Sequence, residues 1–241
     1  MNTLDYMPPI HRPSNPTPLD LTIHRYEQLA REFHYNKAKY ARKNESKVKR
    51  AARQAAFERD WNHLEKERIR ISAVAMVSLQ EGLDDYREEN KSKTRNDLRE
   101  EPHHPTEKLA NNLRASHEPK PSLDHDAHHI VMGKGRWRQG RMMRARLSLH
   151  MHKIGINDPI NGVWLPRNKK DKGHWATPDA PAHKEIHRYN YETWITNQIG
   201  GSPLKEETIR NRLTGIKQGL KYGGYPIQII LPKDVTWDGN E

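Results

Sequence analysis

Proline placement constrains this chain before any motif does. Residues 1–19 carry Pro8, Pro9, Pro13, Pro16 and Pro18, and residues 91–121 carry Pro102, Pro105, Pro119 and Pro121. A proline locks its own φ, lacks an N–H and pushes the residue before it out of the helical region. The first stretch reads as a flexible, extended tail. The second reads as a polar linker with one short helix near Thr106 to Ala115. What lies between and beyond them is expected to fold separately. Only 33% of the residues are hydrophobic and just two are Phe, which argues against one large core and for two small units.

Between the two stretches, Ile23, Tyr26, Leu29, Ala30 and Phe33 recur at helical spacing. With Asp20 or Thr22 as the cap, they predict a helix to about Arg42. From about Ser46 to Asn90 the chain is rich in Ala, Glu, Lys and Arg, with an apolar stretch from Ile69 to Leu83. That favours one or two long helices able to pack as a hairpin against the first. Residues 37–53 hold eight Lys or Arg against one acid. With no motif to mark the site, a solvated helix flank is the preferred reading over a nucleic-acid face. Further on, Glu206 to Tyr222 reads as a helix with Ile209, Leu213, Ile216 and Leu220 on one side, ended by Gly223-Gly224, and Pro226 to Leu231 as a short closing strand.

The chemistry concentrates after Pro121. Asp126-Ala127-His128-His129-Ile130-Val131 is followed by Asn161-Gly162-Val163-Trp164-Leu165-Pro166 and then by His183-Lys184-Glu185-Ile186-His187. Successive side chains of a strand point to opposite faces, so His128 and His129 cannot serve one ligand together. Residues four apart on a helix share a face, so His183 and His187 can hold one metal ion, with one strand histidine as a third ligand. The other strand histidine, as a neutral imidazole, is then free to take a proton from water. Asp126 lies two before His128 on the same strand face, where it can accept a hydrogen bond from a ligating imidazole. Base and metal flanking one phosphate is the site of a phosphodiesterase.

These residues resemble the AHH nucleases, a family within the HNH and endonuclease VII superfamily of ββα-metal enzymes, many of them bacterial toxins. The resemblance runs from near Ser122 to near Ile199. It is carried by Ala127-His128-His129, by Arg144-Ala145-Arg146 leading to Gly155-Ile156-Asn157-Asp158, and by the Asn161 to Pro166 segment. It implies that His128 and His183 are metal ligands, that His129 is the general base, and that Asn161 holds the loop and orients the base. His174 falls where the family often carries a histidine, implying a contact to phosphate or to a ligand. His187 departs from the aromatic residue expected there and resembles the second histidine of colicin-type HNH nucleases, which makes it an extra ligand.

Simpler readings compete. Asn161-Gly162 is also a strong signal for a tight hairpin turn. Without the upstream motif, His183 and His187 would read as solvated helix residues. Gly133-Lys134-Gly135 lacks the spacing and the following Ser or Thr of a P-loop, so it reads as a turn and implies no nucleotide cofactor. His103 and His104, bracketed by Pro102 and Pro105, read as exposed loop residues. His150 and His152, two apart on a predicted helix, diverge by about 200° and cannot chelate one ion.

The net charge of +11, pI near 9.7 and mean hydropathy of −1.10 describe a basic, polar chain that a polyanion attracts. From Ala127 to Lys153 there are seven Lys or Arg and no acid. Arg136, Arg138, Arg141, Arg144 and Arg146 are the expected phosphate contacts. The absence of cysteine excludes disulfides and thiolate metal sites. No stretch approaches the roughly 18 apolar residues of a membrane span, and the N-terminus lacks a signal-peptide pattern.

The expected class is α+β, predominantly helical. A flexible tail (1–19), a helical docking or delivery domain (20–90) and a linker (91–121) precede a ββα-metal nuclease domain (122–241). The expected activity is a metal-dependent, largely sequence-nonspecific endonuclease using one divalent ion (Zn, Ni, Mg or Mn), with DNA placed ahead of RNA. The resemblance further implies an antibacterial toxin neutralised by an acidic immunity protein. Such a toxin would be made in the bacterial cytoplasm, exported without a signal peptide and delivered into the target cell cytoplasm, with a secretion or chaperone partner on the N-terminal helices. A rival, a nonenzymatic zinc-stabilised nucleic-acid-binding module, requires a closed metal shell where a nuclease requires an open one.

Overall fold

A computed structural model of the protein describes residues 18–39, 46–104, 106–201 and 203–240. Most of the expected tail and residues 40–45 of the basic run lie outside the described residues. The chain divides into two compact units at Ser78/Leu79. In the first, helix α1 (Pro18–Lys39) meets helix α2 (Lys47–Ser92) through an aromatic cluster. Phe33 stands edge-on to Phe57 at 5.9 Å and lies 5.8 Å from Trp61. The Ser46 to Asn90 region is thus one unbroken helix, whose residues 79–92 belong to the second unit.

The second unit is built around a two-stranded antiparallel sheet, β1 (His125–His129) and β2 (Gly162–Pro166). The register pairs Ala127 with Trp164, His128 with Val163 and His129 with Gly162. Because facing residues share a side of the sheet, Ala127 and Trp164 turn together toward helix α4 (Glu107–Ala115), where they pack on Leu109 and Leu113. Val163 and Leu165 turn the other way, into the main core. There they join Met142, Ala145 and Leu149 of α5 (Gln139–Met151), Tyr191, Trp194 and Ile195 of α7 (Tyr189–Ile199), and Ile209, Leu213 and Leu220 of α8 (Glu206–Tyr222). A single turn, α6 (His183–Ile186), precedes α7. Helix α8 ends as expected on Gly223, which takes the left-handed conformation at φ 83°.

Three expectations change. Residues 91–121 hold the expected short helix, α4, but are no simple linker: they also carry α3 (Arg95–Glu100), and α4 covers one face of the sheet. Asn161-Gly162 is not a hairpin turn, because Gly162 pairs directly with His129 and the long segment between the strands contains α5. Gly162 instead lies in close packing, where a Cβ would come within 2.6 Å of Leu109 Cδ1 and the leucine would have to shift. Pro226 to Leu231 forms no strand. It holds a 3-10 turn, Ile227–Ile230, that buries Ile229 against the core.

These contacts define the folding unit. A fragment beginning at Pro119 strips Leu109 and Leu113 from Ala127 and Trp164, and is expected to lose the cooperative unfolding that a fragment from Leu79 retains. Urea titration followed by tryptophan fluorescence distinguishes the two, and a cooperative transition in the shorter fragment would contradict the packing account.

Candidate metal and phosphodiester site

Strand alternation separates the histidine pair. His128 turns toward α6 and α7, where its ring stands 4.9 Å from His183 and 5.4 Å from His187, centroid to centroid. His183 and His187 are 4.7 Å apart, and one ring nitrogen from each of the three lies within 4.8 Å of the others. His183 opens α6 and His187 sits just past its end, so the four-residue spacing acts through one helical turn. His129 turns the other way and is held on the opposite side of the strand.

Hydrogen bonds set the tautomers of both strand histidines. The Tyr191 hydroxyl donates to the Ile130 carbonyl at 3.0 Å, so its oxygen must accept from His128 Nε2–H, also at 3.0 Å. That leaves His128 Nδ1 with the free lone pair. Asn157 donates its amide N–H groups to Glu101 Oε1 (2.8 Å) and the Pro102 carbonyl (3.0 Å). Its Oδ1 therefore accepts from His129 Nε2–H at 3.0 Å, and His129 too presents a free Nδ1.

Burial keeps the imidazoles neutral. It holds His128 well below the usual histidine range, helped by His183 and His187. His183 is pushed down to about 4 by burial and by His187, against the pull of Asp126. His129 falls to about 4 through burial, although its bond to Asn157 opposes the shift. His187, which reaches solvent, is also lowered by burial. All four offer lone pairs at neutral pH.

The donor set fits a divalent transition ion. Imidazole nitrogens at 2.0–2.1 Å from such an ion lie about 3.3 Å apart, which ring rotation can reach from the present spacing. Asp126 Oδ2 stands 3.7 Å from His183 Nδ1, and a bidentate Arg167 holds that carboxylate. Among the described residues the group of candidate ligands stops at three, and the cavity beside it, of about 420 Å³, is also lined by His129. Three protein ligands leave a coordination position open, whereas a structural tetrahedral site needs four.

The remaining expected residues are distributed differently. Asn161 does not touch His129: its side chain accepts from Val131 N (2.8 Å) and donates to the carbonyls of Val131 and Ile156. It holds the loop, while Asn157 makes the bond to His129. His174 is absent from the cavity lining and packs against His125 with centroids 5.0 Å apart. Of the arginines, Arg136 is exposed and lines the cavity, and Arg138 donates to the Tyr189 hydroxyl at 2.6 Å. Arg141 and Arg144 are exposed on α5. Arg146 is a correction: it is 4% exposed and donates to the carbonyls of Gly133, Leu98 and Glu101, so it cannot meet phosphate.

Several site residues escaped the sequence reading. Tyr191 continues the spacing of His183 and His187 by another four residues, a signal that was available. Glu192 accepts the backbone N–H groups of Arg136, Trp137 and Arg138 at 2.5, 2.9 and 2.6 Å, folding the rim of the cavity, and no local pattern announces it. His103 and His104 lie in a loop as expected, yet both line the cavity.

Residues 109–222 match the sequence model of AHH, a nuclease family of the HNH/ENDO VII superfamily with conserved AHH. No curated protein and no solved structure matches the chain.

Two expectations follow from burial. Replacing Arg146 with Ala removes its bonds to three carbonyls and should cost about 3 kcal/mol, whereas Arg144→Ala should stay within about 0.5 kcal/mol; urea midpoints compare them. Imidazoles with folded-state values near 4 and unfolded values near 6.5 bind protons only on unfolding in between. Metal-free stability should therefore be full above about pH 6.5 and fall as the pH drops toward about 4, and a flat profile across that window would contradict buried, neutral rings.

Proposed function

We propose, from the premise that residues 109–222 belong to the AHH nuclease family, that this protein is a metal-dependent endonuclease hydrolysing phosphodiester bonds of DNA without strong sequence preference. The observation that carries the reading is the shared cavity: three ligating imidazoles on one side of β1 and a separately held imidazole, His129, on the other. His128, His183 and His187 would hold the ion. A bound divalent ion would supply Lewis-acid polarisation of a phosphate oxygen and neutralise charge at the leaving oxygen.

His129 Nδ1 removes a proton from water as the water oxygen bonds to phosphorus and the bond from phosphorus to the 3′ oxygen breaks. Asn157 stabilises the imidazolium so formed through its Oδ1, and Glu101 keeps Asn157 in that orientation. Arg136 and Lys134, exposed at the cavity, neutralise flanking phosphates. Arg136 packs on Trp137 at 4.9 Å, and Arg138 on Tyr189 at 4.7 Å, which presents cations and aromatic faces together, a surface suited to nucleic acid. Three ligands with a fourth position open favour this enzyme over a closed, structural zinc module.

The biological setting we infer is an antibacterial toxin acting in a target cell's cytoplasm and opposed by an acidic immunity protein. Its support is the family resemblance and the basic charge of +11. Expression of wild type and His129→Ala in a bacterial host tests it, with growth arrest expected for the first alone.

The two strand histidines separate base from ligand. His129→Ala should lose about 10²–10⁴-fold in plasmid cleavage while still binding metal, because a general base contributes that much. His128→Ala should lose cleavage together with metal affinity and the metal-dependent rise in Tm. Calorimetric titration beside a cleavage assay with and without chelator checks both; loss of metal in His129→Ala with retention in His128→Ala would exchange the roles.

A further inference from the structure

Two histidines reach the cavity from upstream of the family module. His103 and His104 lie in the loop between α3 and α4 and line the same space as His128, His129, His183 and His187. Core packing does not account for them. His104 is exposed and His103 half-buried, and among the described residues neither ring has a hydrogen-bond partner. Their rings pack on each other with centroids 4.5 Å apart, and His103 stands edge-on to His129 at 6.2 Å. His103 also lies over Gly133, where any side chain would collide with it. His104 lines the same cavity as His129 and the ligand cluster.

The loop is anchored by the residues that hold the base. Asn157, whose Oδ1 accepts from His129, donates to both the Glu101 carboxylate and the Pro102 carbonyl. The Tyr86 hydroxyl donates to Glu101 Oε2 at 3.1 Å and accepts from Asn157 N, while Arg146 binds the Glu101 carbonyl at 2.8 Å. A loop clamped at Glu101 and Pro102 presents its next two side chains in a set place. Imidazole keeps at least one N–H donor in every protonation state, so a ring there can always donate to an anionic oxygen.

We propose that His104 is a further catalytic residue, donating a ring N–H to a non-bridging oxygen of the scissile phosphate, and that His103 is a positioning residue that braces it beside His129. The proposal rests on the nuclease reading above. As charge builds on the non-bridging oxygens during attack, a donor in the cavity that the ligand cluster lines would stabilise it.

The test uses the full chain with His104→Ala, His104→Gln, His103→Ala and, as reference, His129→Ala. Each is assayed on supercoiled plasmid and on the p-nitrophenyl ester of thymidine 5′-monophosphate, whose good leaving group needs no proton. His104→Ala should lower kcat on both substrates by roughly ten- to a hundredfold, the size of one hydrogen bond to a charged group, with plasmid KM, metal affinity and Tm as in wild type. His104→Gln, which keeps an N–H, should recover part of the rate, and His103→Ala should lower kcat less than His104→Ala. Full activity of His104→Ala beside an inactive His129→Ala would overturn the proposal alone. So would a loss confined to plasmid KM, which would make His104 a groove contact, or a loss of metal affinity, which would make it a ligand. No cleavage by the wild type would instead sink the nuclease reading, and wild-type cleavage by His129→Ala the site assignment, each taking the proposal with it.

Discussion

The site depends on one side-chain amide. Asn161 accepts from Val131 N and donates to the carbonyls of Val131 and Ile156, while its own carbonyl accepts from Ile130 N at 2.8 Å. These bonds tie the end of β1 to the start of β2 and to the segment that carries Asn157. Together with the bonds of Asn157 to Tyr86, Glu101 and Pro102, they bring the long connection between the strands to where Asn157 meets His129. Buried backbone groups left unpaired cost about 1–3 kcal/mol each, so a single asparagine that satisfies several is hard to replace. Gly162, the next residue, lets α4 lie close on the sheet, so adjacent residues set both the loop and its cover.

Around this frame the imidazoles gather because they are uncharged. Desolvation lowers the proton affinity of His128, His129, His183 and His187, and neutral rings can crowd together where imidazolium ions would repel. Burying them also costs hydrogen bonds to water, and that cost is offset at each Nε2: Tyr191 for His128, Asn157 for His129. The same bonds choose the tautomer, so packing and chemistry have one cause. Arg146 contributes from beneath, binding the carbonyls of Gly133 and Glu101 and so joining the cavity wall to the loop that carries His103.

Much of this was legible in local pattern. The alternation of a strand separates His128 from His129 and puts Asp126 on the side of His128. The four-residue spacing of His183 and His187 brings them together within one turn, and α8 begins and ends where its apolar stripe and glycines predict. Residues 91–121 misled because prolines mark chain breaks without saying whether the helices between them dock. Leu109 and Leu113 are the docking face, visible only once Ala127 and Trp164 exist to receive it. Arg146 misled because its neighbours on α5 are exposed, and helical position alone does not reveal which arginine faces buried carbonyls.

The sequence by itself determined the candidate ligand histidines, the two-sided histidine pair and the overall basic charge, because strand alternation, helical spacing and charge are properties of residues a few positions apart. Tertiary structure alone decided that Asn157 rather than Asn161 meets His129, that Tyr191 sets the tautomer of His128, that Glu192 folds the cavity rim and that His103 and His104 face the site. Each of those pairings spans roughly 25 to 65 residues. Over such distances the choice among chemically equivalent acceptors is made by the closing of loops and the burial of a shared core, which no local pattern encodes.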